Sequence, residues 1–224
     1  MGVSGGIDWF FEQEEEGIIL EDDCLPSQSF FPFCERMLER YQHDRRIWMI
    51  SGFNPRYPSV KTSCYFYSEN PSVWGWASWA DRWSSYDVQM NGWPDVKLVE
   101  YMVDKFPKYV HRYYLKAFDG TKRGKTDTWD YQLSYKIFSN HGLTVKPKAN
   151  LISNLGVEGA HASKKDKNHF IGLGEIIDEQ GFSICCMYPD VKEDDWFYRT
   201  RLRSRFRILK RVIGFVRRIL KEGI

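Results

Sequence analysis

Apolar and polar positions along the chain follow two periods, and the switches between them mark out the elements. EGIIL (16–20) is a short, almost continuous apolar run that ends directly on Glu21, Asp22 and Asp23. Such runs are typical of strands buried in parallel sheets. Ahead of it, IDWFFEQ (7–13) reads as the end of a helix. After it, Phe30, Cys34, Met37, Leu38 and Tyr41 recur at helical spacing, which predicts an amphipathic helix with Ser27 or Ser29 as N-cap. RIWMISGF (46–53) and TSCYFYS (62–68) are apolar or alternating runs bounded by Gly, Asn and Pro, and predict strands. Further helices are expected at about 76–86, 95–105 and 127–139, with LTVKPKANLIS (143–153) extended after the last. SKKDKNHFIGLGE (163–175) reads as a mobile loop, and there is no repeat at a fixed period. Strands alternating with helices predict an α/β layer architecture.

Composition narrows this little. With 224 residues, 42% hydrophobic and 17% aromatic, the chain can bury a sizeable core, which excludes disorder throughout. No stretch approaches the roughly 18 apolar residues of a membrane-spanning helix. The first residues lack the basic and apolar regions of a signal peptide, so an intracellular chain is expected. The cysteines (Cys24, Cys34, Cys64, Cys185, Cys186) are odd in number and form no CxxC pair, which predicts reduced thiols rather than disulfides or zinc.

Charge changes the picture more. Residues 199–224 hold ten of the 32 basic residues and one acid, a net +9 that leaves the rest of the chain at −7. In this tail Leu202, Phe206, Leu209, Ile213, Val216 and Leu220 recur every three or four residues between the cations. That pattern fits an amphipathic helix on an anionic membrane surface, drawn there by about 1 kcal/mol per cation. Docking on the acidic body is the competing reading, and nucleic acid is the least expected partner.

The candidate chemistry begins with the carboxylates. In an extended backbone Glu21 and Asp23 point to one side and Asp22 to the other. Two carboxylates in a partly buried cleft repel, and one takes up a proton unless a cation lies nearby. Mg²⁺ or Mn²⁺ suits such oxygen ligands and keeps positions open for phosphate oxygens. In open α/β sheets ligands gather outside the carboxyl ends of strands, where this triplet falls. A solvated acidic turn fits the same spacing. In TDTWDYQLSYKIF (126–138), with Thr126 or Asp127 at the helix start, Asp130 reads as a first-turn acid complementing the helix dipole. In WGWASWADRW (74–83), Trp76, Trp79 and Trp83 recur at helical spacing, a pattern of core residues. His161, in EGAHAS (158–163), is a candidate metal or diphosphate contact. A metal phosphohydrolase is disfavoured, since no further His and Asp ligand set accompanies the acids.

These segments carry a resemblance. GIILEDDCLP (17–26) resembles the metal-binding segment of GT-A-fold glycosyltransferases, in the Glu-Asp-Asp branch that includes animal N-acetylglucosaminyltransferase I. More closely, residues 6–41, WGWASWADRW, residues 127–156 and GAHA (159–162) resemble, in order, a bacterial family of nucleotide-diphosphosugar transferases. The resemblance implies a partial GT-A, Rossmann-like mixed sheet flanked by helices within residues 1–162, a loop and C-terminal extension over 163–198, and the basic tail over 199–224. It implies that Asp23 holds the donor's Mn²⁺ or Mg²⁺, and that Glu21 and Asp22 face sugar and ribose hydroxyls. It implies that Trp129-Asp130 is the pair supplying the general base, Asp130, with Trp129 on the donor side and Trp76 stacking on the sugar. The implied activity is metal-dependent, inverting transfer from a nucleotide-diphosphosugar to a hydroxyl of a glycan or lipid-linked acceptor, in bacterial surface polysaccharide or lipopolysaccharide synthesis. That enzyme would be cytoplasmic, peripheral on the inner face of the plasma membrane. Relatives carry further strands of the nucleotide-binding sheet ahead of the triplet, whereas twenty residues precede Glu21 here. The expectation is a fragment with an exposed sheet edge. The alternative function is a non-catalytic remnant or a peripheral membrane-binding module.

Overall fold

The computed structural model describes residues 2–156, 171–176 and 183–202, without the side chains of 185–187. In chain order the elements are α1 (Val3–Phe11), β1 (Glu16–Ile19), β2 (Cys24–Pro26), α2 (Phe30–Tyr41), β3 (Ile47–Ser51), β4 (Lys61–Thr62), β5 (Cys64–Ser68) and β6 (Trp76–Trp79). There follow α3 (Ala80–Trp83), α4 (Val96–Lys105), α5 (Lys108–Lys122), α6 (Asp130–Ser139), β7 (Leu143–Pro147), β8 (Ile152–Asn154), β9 (Glu175–Ile176), β10 (Ser183–Pro189), α7 (Val191–Phe197) and a π-helical turn, Tyr198–Leu202.

Six strands form one mixed sheet in the order β1-β6-β3-β7-β5-β10. Three neighbouring pairs are antiparallel (β1/β6, β6/β3, β7/β5) and two are parallel (β3/β7, β5/β10). Helices cover both faces, so the chain has a mixed α/β fold with a helix-flanked mixed sheet. On one face α2 buries Phe30, Phe33, Cys34, Met37, Leu38 and Tyr41 against Ile47, Ile50, Ala77, Trp79 and Val145. Burying a side chain such as Phe33 or Met37 contributes roughly 1.5–3 kcal/mol, which explains why this helix follows its apolar stripe. On the other face Ile7 and Phe11 of α1 meet Met49, Trp76, Trp83 and, from α6, Leu133 and Ile137. A third cluster joins α4, α5, the far side of α6 and the π-helical turn through Leu98, Met102, Phe106, Tyr114, Phe118, Phe138 and Leu202.

Several expectations are corrected. The EGIIL strand is not buried in a parallel sheet: β1 is a half-buried edge strand paired antiparallel with β6, with Glu16 opposite Trp79 and Ile19 opposite Trp76. Its apolar residues are accounted for by cover on both faces, Phe10 lying against Gly17 and α2 packing behind Ile18. The helix expected over 76–86 is a strand followed by one helical turn. Along β6, Trp76 and Trp79 point to opposite faces, as a period of two demands, and share a helical spacing by coincidence. Ser29, one of the two serines expected, is the N-cap residue of α2, but its side chain makes no capping bond and its Oγ instead accepts the Ile176 N–H at 3.1 Å. Helix α6 begins at Asp130, not at Thr126 or Asp127. Of the expected loop 163–175, residues 163–170 lie outside the described residues, and Glu175 already belongs to β9, paired with β4. Of the basic tail, 203–224 lie outside the described residues, and Leu202 is buried in the third cluster rather than available to lipid. Among the described residues no helix is long and apolar enough to cross a membrane.

Candidate functional site

The acidic triplet sits where the chain leaves the sheet. Past the end of β1, the Cys24 N–H donates to Glu21 O at 3.0 Å, which closes a four-residue turn over Glu21–Cys24. The triplet is therefore a turn and not an extended strand end. Its side chains still separate as expected, Glu21 and Asp23 half-buried and Asp22 exposed. The returning strand, β2, pairs antiparallel with β8, placing Cys24 opposite Asn154. Gly75 lets β6 begin close behind this turn: its φ is +58°, and a Cβ there would lie 2.3 Å from Ile152 Cδ1 and 3.3 Å from Leu20 Cδ2.

The second half of the site comes from more than a hundred residues away. The indole N–H of Trp129, the N-cap residue of α6, donates to Glu21 Oε1 at 3.3 Å. Asp130 follows in the first turn, where its carboxylate accepts from Thr128 Oγ1 and from the backbone N–H groups of residues 130 and 131. The preceding chain is strapped down by Gln132 Nε2 donating to Thr128 O at 2.8 Å and Tyr86 OH donating to Trp129 O at 3.2 Å. Tyr86 is itself stacked on Trp83, with ring centroids 4.3 Å apart.

Electrostatically the site is a concentration of like charge. Burial raises the Glu21 carboxyl above the usual carboxylate range, the Trp129 hydrogen bond opposes this, and the Asp23, Asp130 and Asp22 charges raise it further. Burial also raises Asp130, against the lowering effect of its Thr128 and backbone hydrogen bonds. Burial pushes the Cys24 thiol up to about 12, so it is neutral at physiological pH. Among the described residues no Lys or Arg forms an ion pair with Glu21, Asp22, Asp23 or Asp130.

One donor atom each from Glu21, Asp23 and Cys24 lies within 4.8 Å of the others. Two carboxylates at this separation fit a hard divalent cation, with the thiol at the margin of the set. Glycine at 156 lets the Asp23 carboxylate sit against the backbone there, since a Cβ would fall 2.3 Å from Asp23 Oδ2. His161, the other candidate ligand, lies outside the described residues.

Trp76 does not match the role its resemblance implies. It is 1% exposed, tilted or stacked between Trp83 and Trp129 with centroids 6.1 Å away on each side, and offers no open face to a sugar. The half-buried indole at the site is Trp129, with Trp76 as its backing. Sequence reasoning missed Thr128, Tyr86 and Asn154. Asn154 donates from Nδ2 to Asp23 Oδ1 at 2.8 Å, and the only sequence signal for it was an Asn two residues ahead of a Gly at the end of an extended run. No family model and no curated protein matches the chain.

Proposed function

We propose that this chain is a metal-dependent glycosyltransferase of GT-A type, moving a sugar from a nucleotide-diphosphosugar to a hydroxyl of a glycan or lipid-linked acceptor. The observation that carries the reading is the Trp129 Nε1 to Glu21 Oε1 contact at 3.3 Å. It joins two segments that the family resemblance singles out independently and that lie 108 residues apart in the chain. A solvated acidic turn would have no reason to meet the start of α6.

In this reading Asp23 holds Mn²⁺ or Mg²⁺, with Glu21 beside it. The cation, when bound, offsets charge on the departing nucleoside diphosphate. Glu21, fixed by Trp129, is aimed at donor hydroxyls, while the exposed Asp22 is free to reach the ribose. Asp130 accepts the proton of the acceptor hydroxyl as that oxygen attacks the anomeric carbon, and the bond to the diphosphate oxygen breaks with inversion. Burial of Asp130 raises its proton affinity, which suits a base working near neutral pH better than an ordinary carboxylate. Thr128 and the first-turn N–H groups orient its oxygens.

The test is a donor screen with Mn²⁺, following nucleoside diphosphate release with and without glycan or lipid-linked acceptors. Acceptor-dependent release from one donor, lost when Asp23 is replaced by Asn, supports the reading. Release that is unaffected by Asp23→Asn removes it.

A further inference from the structure

We propose that Asn154 is the positioning residue for Asp23, and that Asn154 to Gly156 form a clamp that orients this carboxylate for a divalent cation; the inference rests on the metal reading above. Asp23 is held at three points by one short stretch at the end of β8. Its backbone carbonyl accepts the Leu155 N–H at 2.7 Å. Its Oδ1 accepts Asn154 Nδ2 at 2.8 Å. Its Oδ2 lies against Gly156, where any Cβ would stand 2.3 Å away.

The direction of the Asn154 amide follows from its partners. Its Oδ1 accepts the Gly156 N–H at 2.8 Å, so the opposite end of the amide, the N–H₂, must face Asp23. The side chain is 5% exposed and is fixed from behind by the β2/β8 pairing that sets Cys24 opposite Asn154. Asp23 is thus oriented by a buried amide engaged at both its oxygen and its nitrogen. With Oδ1 engaged by Asn154, and by the Cys24 thiol at 3.8 Å, no donor among the described residues reaches Oδ2. The clamp thus leaves that oxygen for an outside cation, and the missing Cβ at Gly156 is what lets the carboxylate sit this close to the backbone. Carboxylates that bind metals are commonly oriented by such hydrogen-bonded partners, and losing the partner weakens the metal about 10- to 100-fold.

The experiment is a Mn²⁺ titration of the whole protein, wild type, Asn154→Ala and Gly156→Ala, read by water-proton relaxation enhancement, with thermal unfolding of each variant measured in parallel. The expected result is an apparent Kd raised about tenfold or more in both variants while the melting temperatures stay close to wild type. Equal Mn²⁺ affinity in wild type and both variants overturns the clamp and leaves the metal reading standing. Failure of wild type to bind Mn²⁺ overturns the metal reading and the clamp with it. If Asn154→Ala does not fold, Gly156→Ala decides, because its added methyl acts directly on the Asp23 carboxylate.

Discussion

Two regions of this molecule hold acids away from water, and they treat them oppositely. In α7, Glu193 and Asp194 are each 6% exposed, and the chain supplies their partners. Glu193 receives Tyr57 OH at 2.6 Å, lies 3.1 Å from Arg56 and has Lys148 at 3.5 Å. Asp194 receives Ser68 Oγ at 2.5 Å and the Glu69 N–H at 2.8 Å, with the buried Lys146 as its attractive charge. At the Glu21–Asp23 turn and Asp130 the same residue types face one another with hydrogen-bond donors but, among the described residues, no Lys or Arg paired with them. The first arrangement is complete within the chain and holds α7 on the sheet. On the function proposed above, the second would be completed by a bound cation, and that would be the physical difference between an acid that builds a fold and one that serves a site.

The largest expected effect separates the regions by activity. Asp130→Asn keeps the shape and the helix start but removes the base, so transfer falls about 10²- to 10⁴-fold with melting temperature unchanged or raised. Steady-state release of nucleoside diphosphate, paired with a melting curve, checks both halves. Next is stability. Asp194→Ala leaves Ser68 Oγ and the Glu69 N–H without their acceptor in a buried place and is expected to lose about 1–3 kcal/mol in urea unfolding. Glu21→Gln at the turn removes a repelled charge while leaving an oxygen for Trp129, and is expected to stay within about 1 kcal/mol of wild type or gain. A large loss for Glu21→Gln, or none for Asp194→Ala, would erase the distinction between the two regions.

How much of this was legible beforehand depends on whether a residue's role is local. The α2 stripe from Phe30 to Tyr41 was readable because one face of one helix decides it. Helix α5 was not foreseen, although Val110, Tyr114, Phe118 and Thr121 are buried at helical spacing. That segment is rich in aromatic and β-branched residues and contains Gly120, all poor helix formers, and tertiary packing overrides them. Trp76 and Trp79 misled because a spacing of three is shared by a helix face and by opposite sides of a strand. In the candidate site, Glu21, Asp23 and Asp130 were singled out as motif residues, and the structure brings them near one another. Asn154 was not, because its task exists only once β2 and β8 pair across the chain.

Acidity sharpens the comparison further. Burial, partly offset by Ser68, Glu69 and Lys146, lifts Asp194 from an ordinary 3.8 to about 6. The folded state then holds its proton to higher pH than the unfolded chain does, so this group's contribution is fully present below about 4 and lost as pH rises through 6. The change amounts to roughly 3 kcal/mol across that window. Asp194→Asn should flatten the slope of unfolding free energy between pH 4 and 6 by about that amount. Glu21 and Asp130 are raised as well and slope in the same direction, so a residual slope in this variant is expected and should shrink again in Glu21→Gln.

The remaining effect is the one most specific to the site. A ligand that binds only the folded protein stabilises it by about 2.7 kcal/mol when present at 100 times its Kd. Mn²⁺ at such a level should raise the unfolding free energy of wild type by that order and should do so equally in Asp194→Asn, because the α7 acids already have their counter-charges. In Asp23→Asn the increment should vanish. Burial is the main cause that raises Glu21, and Mn²⁺ would offset only the Asp23, Asp130 and Asp22 charges that add to it, so it should reduce part of the acid-side slope that belongs to the turn while leaving the Asp194 part intact. An equal Mn²⁺ increment in wild type and Asp23→Asn would mean that the cation binds elsewhere, and the turn would then be no more than an acidic turn beside α6.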